Sequence, residues 1–226
     1  MSSPGDEPLS PADASAALIV LGAATVGESG GEPMDPRIRP VWPGARLAAP
    51  AFPVRCSPGD NLAIHVAVAA APPGSVLVVD VGGDRSYGYW GEVLTTAALA
   101  RHLVGLVIDG GVRDTTALES HRFPVFSTVV ALRGASKDRP GTVGEPVVVG
   151  DLTVHAGDWV VGDRDGVAVI GRSSLGDVLA AGRARADKEA VMFAELTDGR
   201  TTLELLGLDP APVEVVAPGP GQDRSA

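Results

Sequence analysis

The sequence predicts an α/β fold built on a central βαβ unit and closed by a C-terminal helix. Two Val/Leu/Ile-rich runs end in near-identical turns, Asp80-Val81-Gly82-Gly83 and Asp109-Gly110-Gly111, with a helix-length segment between them. A strand–helix–strand passage of this length makes the two strands parallel and neighbouring. Hydrophobic residues make up 45% of the chain but aromatics only 4%, so the core comes from aliphatic side chains, which suits strands buried on both faces.

Residues 1–12 are rich in Ser, Pro and Asp and are expected to be a disordered lead. Ala14 to Val26 is apolar and bounded by glycines, which predicts a helix or a helix–strand element. The proline-rich stretch from Met34 to Pro50 is expected to be an extended connection, because proline breaks helices. Ala51 to Arg55 is a short strand. Asp60 is placed to cap a helix from Asn61 to Ala71, ended by Pro72-Pro73-Gly74.

Ser75 to Val81 is the first strand of the central unit, Gly91 to His102 its helix and Val104 to Ile108 its second strand. Thr115 to His121 is a short helix and Pro124 to Val130 a third strand. From Val143 to Ile170, short Val-rich runs alternate with turns at Gly150-Asp151, Gly157-Asp158 and Asp163-Arg164-Asp165-Gly166, a pattern of antiparallel strands. Ser173 or Ser174 caps a long helix to about Leu196, broken near Asp198-Gly199, and a short helix covers Thr201 to Leu206. One domain is expected over residues 13–208, with a disordered tail over 209–226.

The formal net charge of −10 argues against nucleic acid and anionic membranes as partners, whose binding needs a basic surface. Local cations can still receive a small anion. Cys56 is the single cysteine, so no disulfide framework or Cys-rich zinc site forms within the chain, and a small core residue is expected. The N-terminus lacks a basic-then-apolar signal pattern, and no apolar run reaches the roughly 20 residues of a membrane helix. A cytoplasmic location is therefore expected.

Ligands of parallel sheets bind beyond the carboxyl ends of the strands. Two turns of the central unit open there. One leads into Gly91-Glu92-Val93-Leu94, a helix start whose free amides suit an anion. The other presents Arg113 and Asp114, a cation beside a carboxylate, which suits an anionic substrate held next to a divalent metal. Each has a plainer reading. Asp114 would cap the helix starting at Thr115, Arg113 would pair on the surface, and Glu92 would complement a helix dipole. Asp80, Asp84 and Arg85 are candidates to line the same crevice. His65 lies among Ile64 and Val66 and reads as a satisfied core or interface histidine. His102, His121 and His155 show no metal-ligand spacing, and Asp158, Asp163 and Asp165 read as turn residues.

Gly59-Asp60-Asn61, Pro73 to Asp80, Gly91-Glu92, Gly105 to Asp114, Pro146-Val147, Gly157-Asp158 and Gly162 to Val167 follow one another in an order that resembles the RraA-like / 4-hydroxy-4-methyl-2-oxoglutarate aldolase family. The likeness runs from about Ala14 to Ala190, and Ile108-Asp109-Gly110-Gly111-Val112-Arg113-Asp114 is its most specific part. The resemblance implies a β/β/α swivelling-type domain assembled as homotrimers or homohexamers. It implies a divalent-metal pyruvate aldolase that forms no Schiff base and cleaves a 4-hydroxy-2-oxo acid through a pyruvate enolate, with oxaloacetate decarboxylation as a companion activity. On that likeness Asp114 ligates Mg²⁺ or Mn²⁺, Arg113 stabilises the enolate, and the amides of Gly91, Glu92, Val93 and Leu94 hold the pyruvate carboxylate. Glu92 orients water at the metal, and Glu189 completes a neighbouring subunit's site.

Three features depart from the family pattern. Glu92 replaces an Asp, His102 replaces a Gly after Arg101, and Tyr87, Tyr89 and Trp90 crowd the approach to Glu92. His102 then either takes a left-handed conformation, at roughly 1 kcal/mol, or the turn is built differently. The three aromatics either shape a pocket or pack an interface. The rival expectation is a non-catalytic regulator that binds a ribonuclease or another protein.

Overall fold

A computed structural model of the protein describes residues 9–216. The expected lead and tail lie largely outside them. Within them, Ser10 caps a helix over Pro11–Glu28 (α1), and residues 209–216 form no regular element. Helix α1 is interrupted at Gly22, which sits at φ 78°, and the amide of Ala23 restarts it by donating to Asp163 Oδ2 at 2.8 Å.

Two short strands follow, Glu32–Pro33 (β1) and Arg39–Pro40 (β2), then a nine-residue strand, Leu47–Arg55 (β3). The proline-rich stretch is thus less of a free connection than its composition suggests. Strand β3 tolerates Pro50 because its pairing changes partner there, and Pro53 because pairing on its other edge, with Thr142–Val143, begins only at Val54. Leu47 to Pro50 face a strand over Trp159–Asp163, and Ala51 to Arg55 face Val76–Asp80 (β4). Between β3 and β4 lies a helix over Leu62–Ala70 (α2).

Tyr87–Trp90 forms a strand (β5) that the sequence did not announce. It precedes the helix Glu92–Ala100 (α3), the strand Gly105–Val112 (β6), the helix Thr115–Ser120 (α4) and the strand Val125–Val130 (β7). Strands β4 and β6 are parallel neighbours, Val76 opposite Gly105 through Asp80 opposite Asp109, and β6 is also parallel to β7. The expected βαβ unit is present. Strand β5 pairs with the carboxyl end of β6 and continues the sheet over the crevice.

The remaining strands are Arg133–Gly134 (β8), Thr142–Val143 (β9), Val147–Val149 (β10), Leu152–Val154 (β11), Trp159–Asp163 (β12) and Gly166–Ile170 (β13). Strands β10 and β11 form a separate two-stranded sheet. Their two-residue turn has Gly150 at φ 57° and Asp151 at φ 65°, the positive-φ pair that a tight hairpin requires. The antiparallel pair β12–β13 joins the large sheet through β3.

One face of the sheet packs Leu77, Val79, Leu106 and Ile108 against α2, α3 and α4; the other packs Val76, Val78 and Val107 with Met34, Ile38 and the β10–β11 hairpin. Cys56 is buried in the first cluster, and burial pushes its thiol up to about 12, so it behaves as the small core residue expected. Helix α1 and the first turns of a long helix, Leu175–Thr197 (α5), cover β12 and β13 through Leu18, Trp159, Ile170, Val178 and Leu179. A single 3-10 turn over Arg172–Ser174 leads into α5.

The chain divides into two compact units at Arg185. The second unit holds the rest of α5 and a helix over Thr202–Leu206 (α6), where Thr201 and Glu204 form a reciprocal capping box. Val191, Phe193, Leu203 and Leu206 are exposed in it.

Candidate active site

Strand β6 ends at Val112, and the amide of Arg113 then donates to Trp90 O at 2.9 Å, tying it to β5. Two glycines, Gly88 and Gly91, leave room for the Arg113 side chain. A Cβ on Gly88 would meet Arg113 Cδ at 3.1 Å, one on Gly91 would meet Arg113 Cγ at 3.2 Å, and Gly134 lies at ordinary contact distance from the guanidinium.

Asp114 occupies the N-cap position of α4 but does not cap it. Its backbone is left-handed, φ 57° and ψ 37°, and its side chain makes no capping bond. Oδ2 instead accepts from the amide of Glu92, the first residue of α3, at 3.1 Å. The plain capping reading is thereby replaced by a carboxylate turned into the crevice. Oδ2 also lies 3.8 Å from Arg113 Nε, a loose pair, and Oδ1 has no protein partner among the described residues.

The amide of Glu92 is thus taken by Asp114. Val93 and Leu94, in the same first turn, have amides with no intrahelical acceptor. The Glu92 side chain is exposed, with His121 Nε2 at 3.4 Å from Oε1. That partner was invisible in the sequence, where His121 stands 29 residues away.

Arg113, Asp114, Gly91, Val93 and Leu94 line one pocket of about 210 Å³, together with Gly88, Tyr89, Trp90, Asn61, His65 and Lys137. The last three were not singled out as site residues. Lys137 rides on a loop anchored by Asp60, which is almost wholly buried. Asp60 Oδ2 accepts from Ser136 Oγ at 2.8 Å and from the amides of Asp138 and Arg139 at 2.7 and 3.1 Å, and Oδ1 accepts from the Leu62 amide at 2.8 Å. Burial alone would raise this carboxyl, but the four donors prevail and hold it at about 2. Asp60 therefore does more than serve α2.

Within this chain His65 is not a satisfied core histidine. Its Nε2 is buried without a partner, as is Oδ1 of Asn61. Burial, and then the Lys137 charge, push the imidazole below its usual value.

The aromatic trio resolves by residue. Tyr89 and Trp90 back the pocket from the core. Tyr89 Oη donates to Asp84 O at 2.6 Å and accepts from the Gly59 amide at 2.8 Å. Trp90 Nε1 donates to Thr95 Oγ1 at 2.7 Å, and its ring stacks on Phe123. Tyr87 lies outside the pocket lining, with the Arg133 guanidinium 4.2 Å above its ring. His102 does adopt the left-handed conformation, φ 59°.

Asp80, Asp84 and Arg85 do not line this pocket. Arg85 Nε donates to Asp109 Oδ1 at 2.6 Å, and Arg37 reaches Asp109 Oδ2 at 3.2 Å and Asp151 Oδ1 at 2.9 Å. Burial would raise the Asp109 carboxyl, yet the two guanidiniums hold it below its usual value, as a structural network does. Asp80 faces Arg55 and Asp84 folds onto Ser86. Asp158 accepts from the amides of His155 and Arg172, and Asp163 from Ala23 and Asp165, as turn-fixing residues. Glu189 lies on α5 in the second unit. A larger groove of about 550 Å³, lined mainly by Ala, Pro, Met, Leu, Val and Gly with three aspartates, holds none of these cations.

A family model described as "RraA-like: Aldolase/RraA" matches residues 13–169. The chain belongs to this RraA-like family. A Halalkalibacterium halodurans protein named "Putative 4-hydroxy-4-methyl-2-oxoglutarate aldolase" is 34% identical over 154 residues, 68% of this chain and 73% of that protein. A Burkholderia mallei protein of the same name is 32% identical, over 60% of this chain and 82% of its own length. Among solved structures, an uncharacterised Pseudomonas syringae protein superposes with a TM-score of 0.74 at 26% identity, covering 89% of this chain and 96% of its own. The Thermus RNA-processing inhibitor RraA superposes with a TM-score of 0.57 at 26% identity, covering 62% and 85%. The RraA-like α/β fold and its C-terminal helix are as expected from the sequence. No helix among the described residues is long and apolar enough to cross a membrane.

Proposed function

We propose that this RraA-like protein is a carbon–carbon lyase, a divalent-metal-dependent aldolase that releases pyruvate from a 4-hydroxy-2-oxo acid, and that it also decarboxylates oxaloacetate. The observation that carries the reading is the convergence of Arg113, Asp114 and the first-turn amides of α3 in one pocket of about 210 Å³. The names of the Halalkalibacterium and Burkholderia relatives support it.

The substrate's carboxylate is received by the amides of Val93 and Leu94, helped by the helix dipole. Its C2 oxygen faces Arg113, whose guanidinium stabilises the enolate charge as the neighbouring bond breaks. One such preorganised donor is typically worth about 3–4 kcal/mol of barrier.

No group of three or more His, Cys, Asp or Glu suited to a metal occurs among the described residues. That donor set fits Mg²⁺ or Mn²⁺ all the same. Asp114 Oδ1 is open, Glu92 is adjacent, both are hard oxygen donors, and Mg²⁺ is commonly held by one or two carboxylates plus water. Asp114 would hold the ion, and Glu92 would position water beside it. When bound, the cation supplies further electrostatic stabilisation of the enolate. Glu189, from a neighbouring subunit of a trimer or hexamer, completes the site in this reading. The location that goes with such metabolism is the cytoplasm.

The test is a coupled pyruvate assay on purified protein with 4-hydroxy-4-methyl-2-oxoglutarate and oxaloacetate, with Mg²⁺ or with EDTA. Pyruvate should appear only with the metal. Absence of pyruvate from both substrates with Mg²⁺ sinks the reading.

A further inference from the structure

The pocket has a second wall that the enolate chemistry leaves unused. Asn61, the N-cap residue of α2, and His65, in the first turns of that helix, both line it. Asn61 is only 6% exposed, and its Nδ2 donates to Tyr89 O at 2.8 Å, which leaves Oδ1 with no partner. His65 Nε2 is likewise buried and unpartnered. Buried polar atoms are almost always satisfied, so two orphans in one pocket mark a place where a ligand group belongs.

The two atoms also specify that group. An amide oxygen only accepts, and Nε2 of a neutral imidazole only accepts in the tautomer that carries its hydrogen on Nδ1, which is the tautomer we assign to His65. The wall therefore calls for a hydrogen-bond donor, not for a second carboxylate. A hydroxyl hydrogen set between Oδ1 and Nε2 satisfies both through a three-centre bond. Of the two, only the imidazole is basic enough to keep the proton.

We infer that His65 is the general base of the cleavage, taking the proton of the hydroxyl on C4 of the substrate, with Asn61 Oδ1 holding that hydroxyl in place. This rests on the aldolase reading and adds a catalytic residue to it. The hydroxyl O–H bond breaks and its proton passes to Nε2. The oxygen's electron pair makes the C4 carbonyl of the departing fragment. The C3–C4 pair becomes the C2–C3 double bond, and the charge comes to rest on the C2 oxygen beside Arg113. Water then protonates C3 to give pyruvate, and His65 returns its proton to solvent. Burial, and then Lys137, keep the imidazole neutral and ready to accept, against the weaker opposing pull of Asp60.

Oxaloacetate separates the two ideas. It yields the same enolate but carries no C4 hydroxyl, so its decarboxylation has no use for a base at His65. The experiment measures both reactions in wild type, His65→Leu and His65→Gln, with thermal unfolding to show that each variant folds. Gln keeps polarity and size but cannot hold the proton, so it remains informative if Leu collapses the pocket. The ratio of aldol cleavage to decarboxylation should fall about 100-fold, the usual contribution of a general base. For His65→Gln the loss should appear in kcat with KM little changed. A ratio within about threefold of wild type, whether both rates hold or both fall together, overturns the role of His65. Wild-type protein inactive on both substrates overturns the aldolase reading itself, and this inference with it.

Discussion

Asp114 Oδ2 accepts from the amide of Glu92 at 3.1 Å while the Asp114 backbone stands in the left-handed region at φ 57°. A side chain in that region costs about 1 kcal/mol, which glycine avoids. The cost is carried by a residue that forgoes capping its own helix in order to face another. Asp114→Gly should therefore be more stable than Asp114→Ala by about 1 kcal/mol in urea unfolding. Both should lose pyruvate release equally. Equal stability of the two would show that the strain is not there.

Gly91 offers a purely steric test. Its φ of −167° is extended backbone open to any residue, so alanine brings no conformational penalty. A Cβ would nevertheless collide with Asp114 Oδ2 and press on Arg113 Cγ at 3.2 Å. Gly91→Ala should fold with a melting temperature near that of wild type and lose at least roughly 100-fold in kcat, because preorganised groups lose their value when displaced. An active Gly91→Ala enzyme would mean that Asp114 and Arg113 can shift freely.

Arg113→Lys keeps the charge and the aliphatic stem that Gly88 and Gly91 make room for but loses the planar fork. Aldol cleavage and decarboxylation share the enolate, so both should drop by about 100-fold to 1,000-fold. A drop in only one reaction would place Arg113 elsewhere on the substrate.

Asp60 predicts a pH dependence of stability. Its carboxyl is held at about 2 in the folded protein, against roughly 3.9 when unfolded. A depressed pKa contributes stability above the unfolded value, and that contribution is lost as pH falls through the folded one. Wild type should exceed Asp60→Asn by about 2–3 kcal/mol at neutral pH, and the gap should close between about pH 4 and pH 2. Urea unfolding of both proteins across that range checks it. A gap that persists at the acid end would mean that shape, not charge, anchors the Lys137 loop.

The central βαβ unit, α4 and β7 were legible because apolar runs, Asp-Gly exits and helix-length spacers agree with one another there. The aliphatic face of the sheet follows from the same runs. Strand β5 escaped because Tyr87-Gly88-Tyr89-Trp90 is short and contains glycine. That glycine is there because the Ala131 carbonyl and the Arg113 side chain both pass close to it, which only the assembled sheet reveals. The length of β3 escaped because proline argues against strand interiors, whereas Pro50 sits where pairing changes hands and Pro53 just before a second partner joins at Val54. Arg113 and Asp114 were legible as a pair at a strand end. His65 was not, since an apolar helix normally buries a satisfied ring, and its missing partner is a property of the pocket.

Glu189 lies in the second unit, beyond Arg185. If it completes a neighbour's site, Arg113→Ala and Glu189→Ala should each be inactive as pure proteins and yet rescue each other. In a cyclic trimer assembled at random from equal amounts of the two, a site is whole only when its own subunit keeps Arg113 and its neighbour keeps Glu189. Every cyclic trimer that holds both variants has one such site of its three, so about a third of the wild-type activity should return in the mixed oligomers. Co-expressing the two variants under different tags, purifying the mixed oligomers through both and assaying pyruvate release reads this directly. Activity no higher than in the parent variants would confine each site to one chain and overturn the role of Glu189 in a neighbour's site.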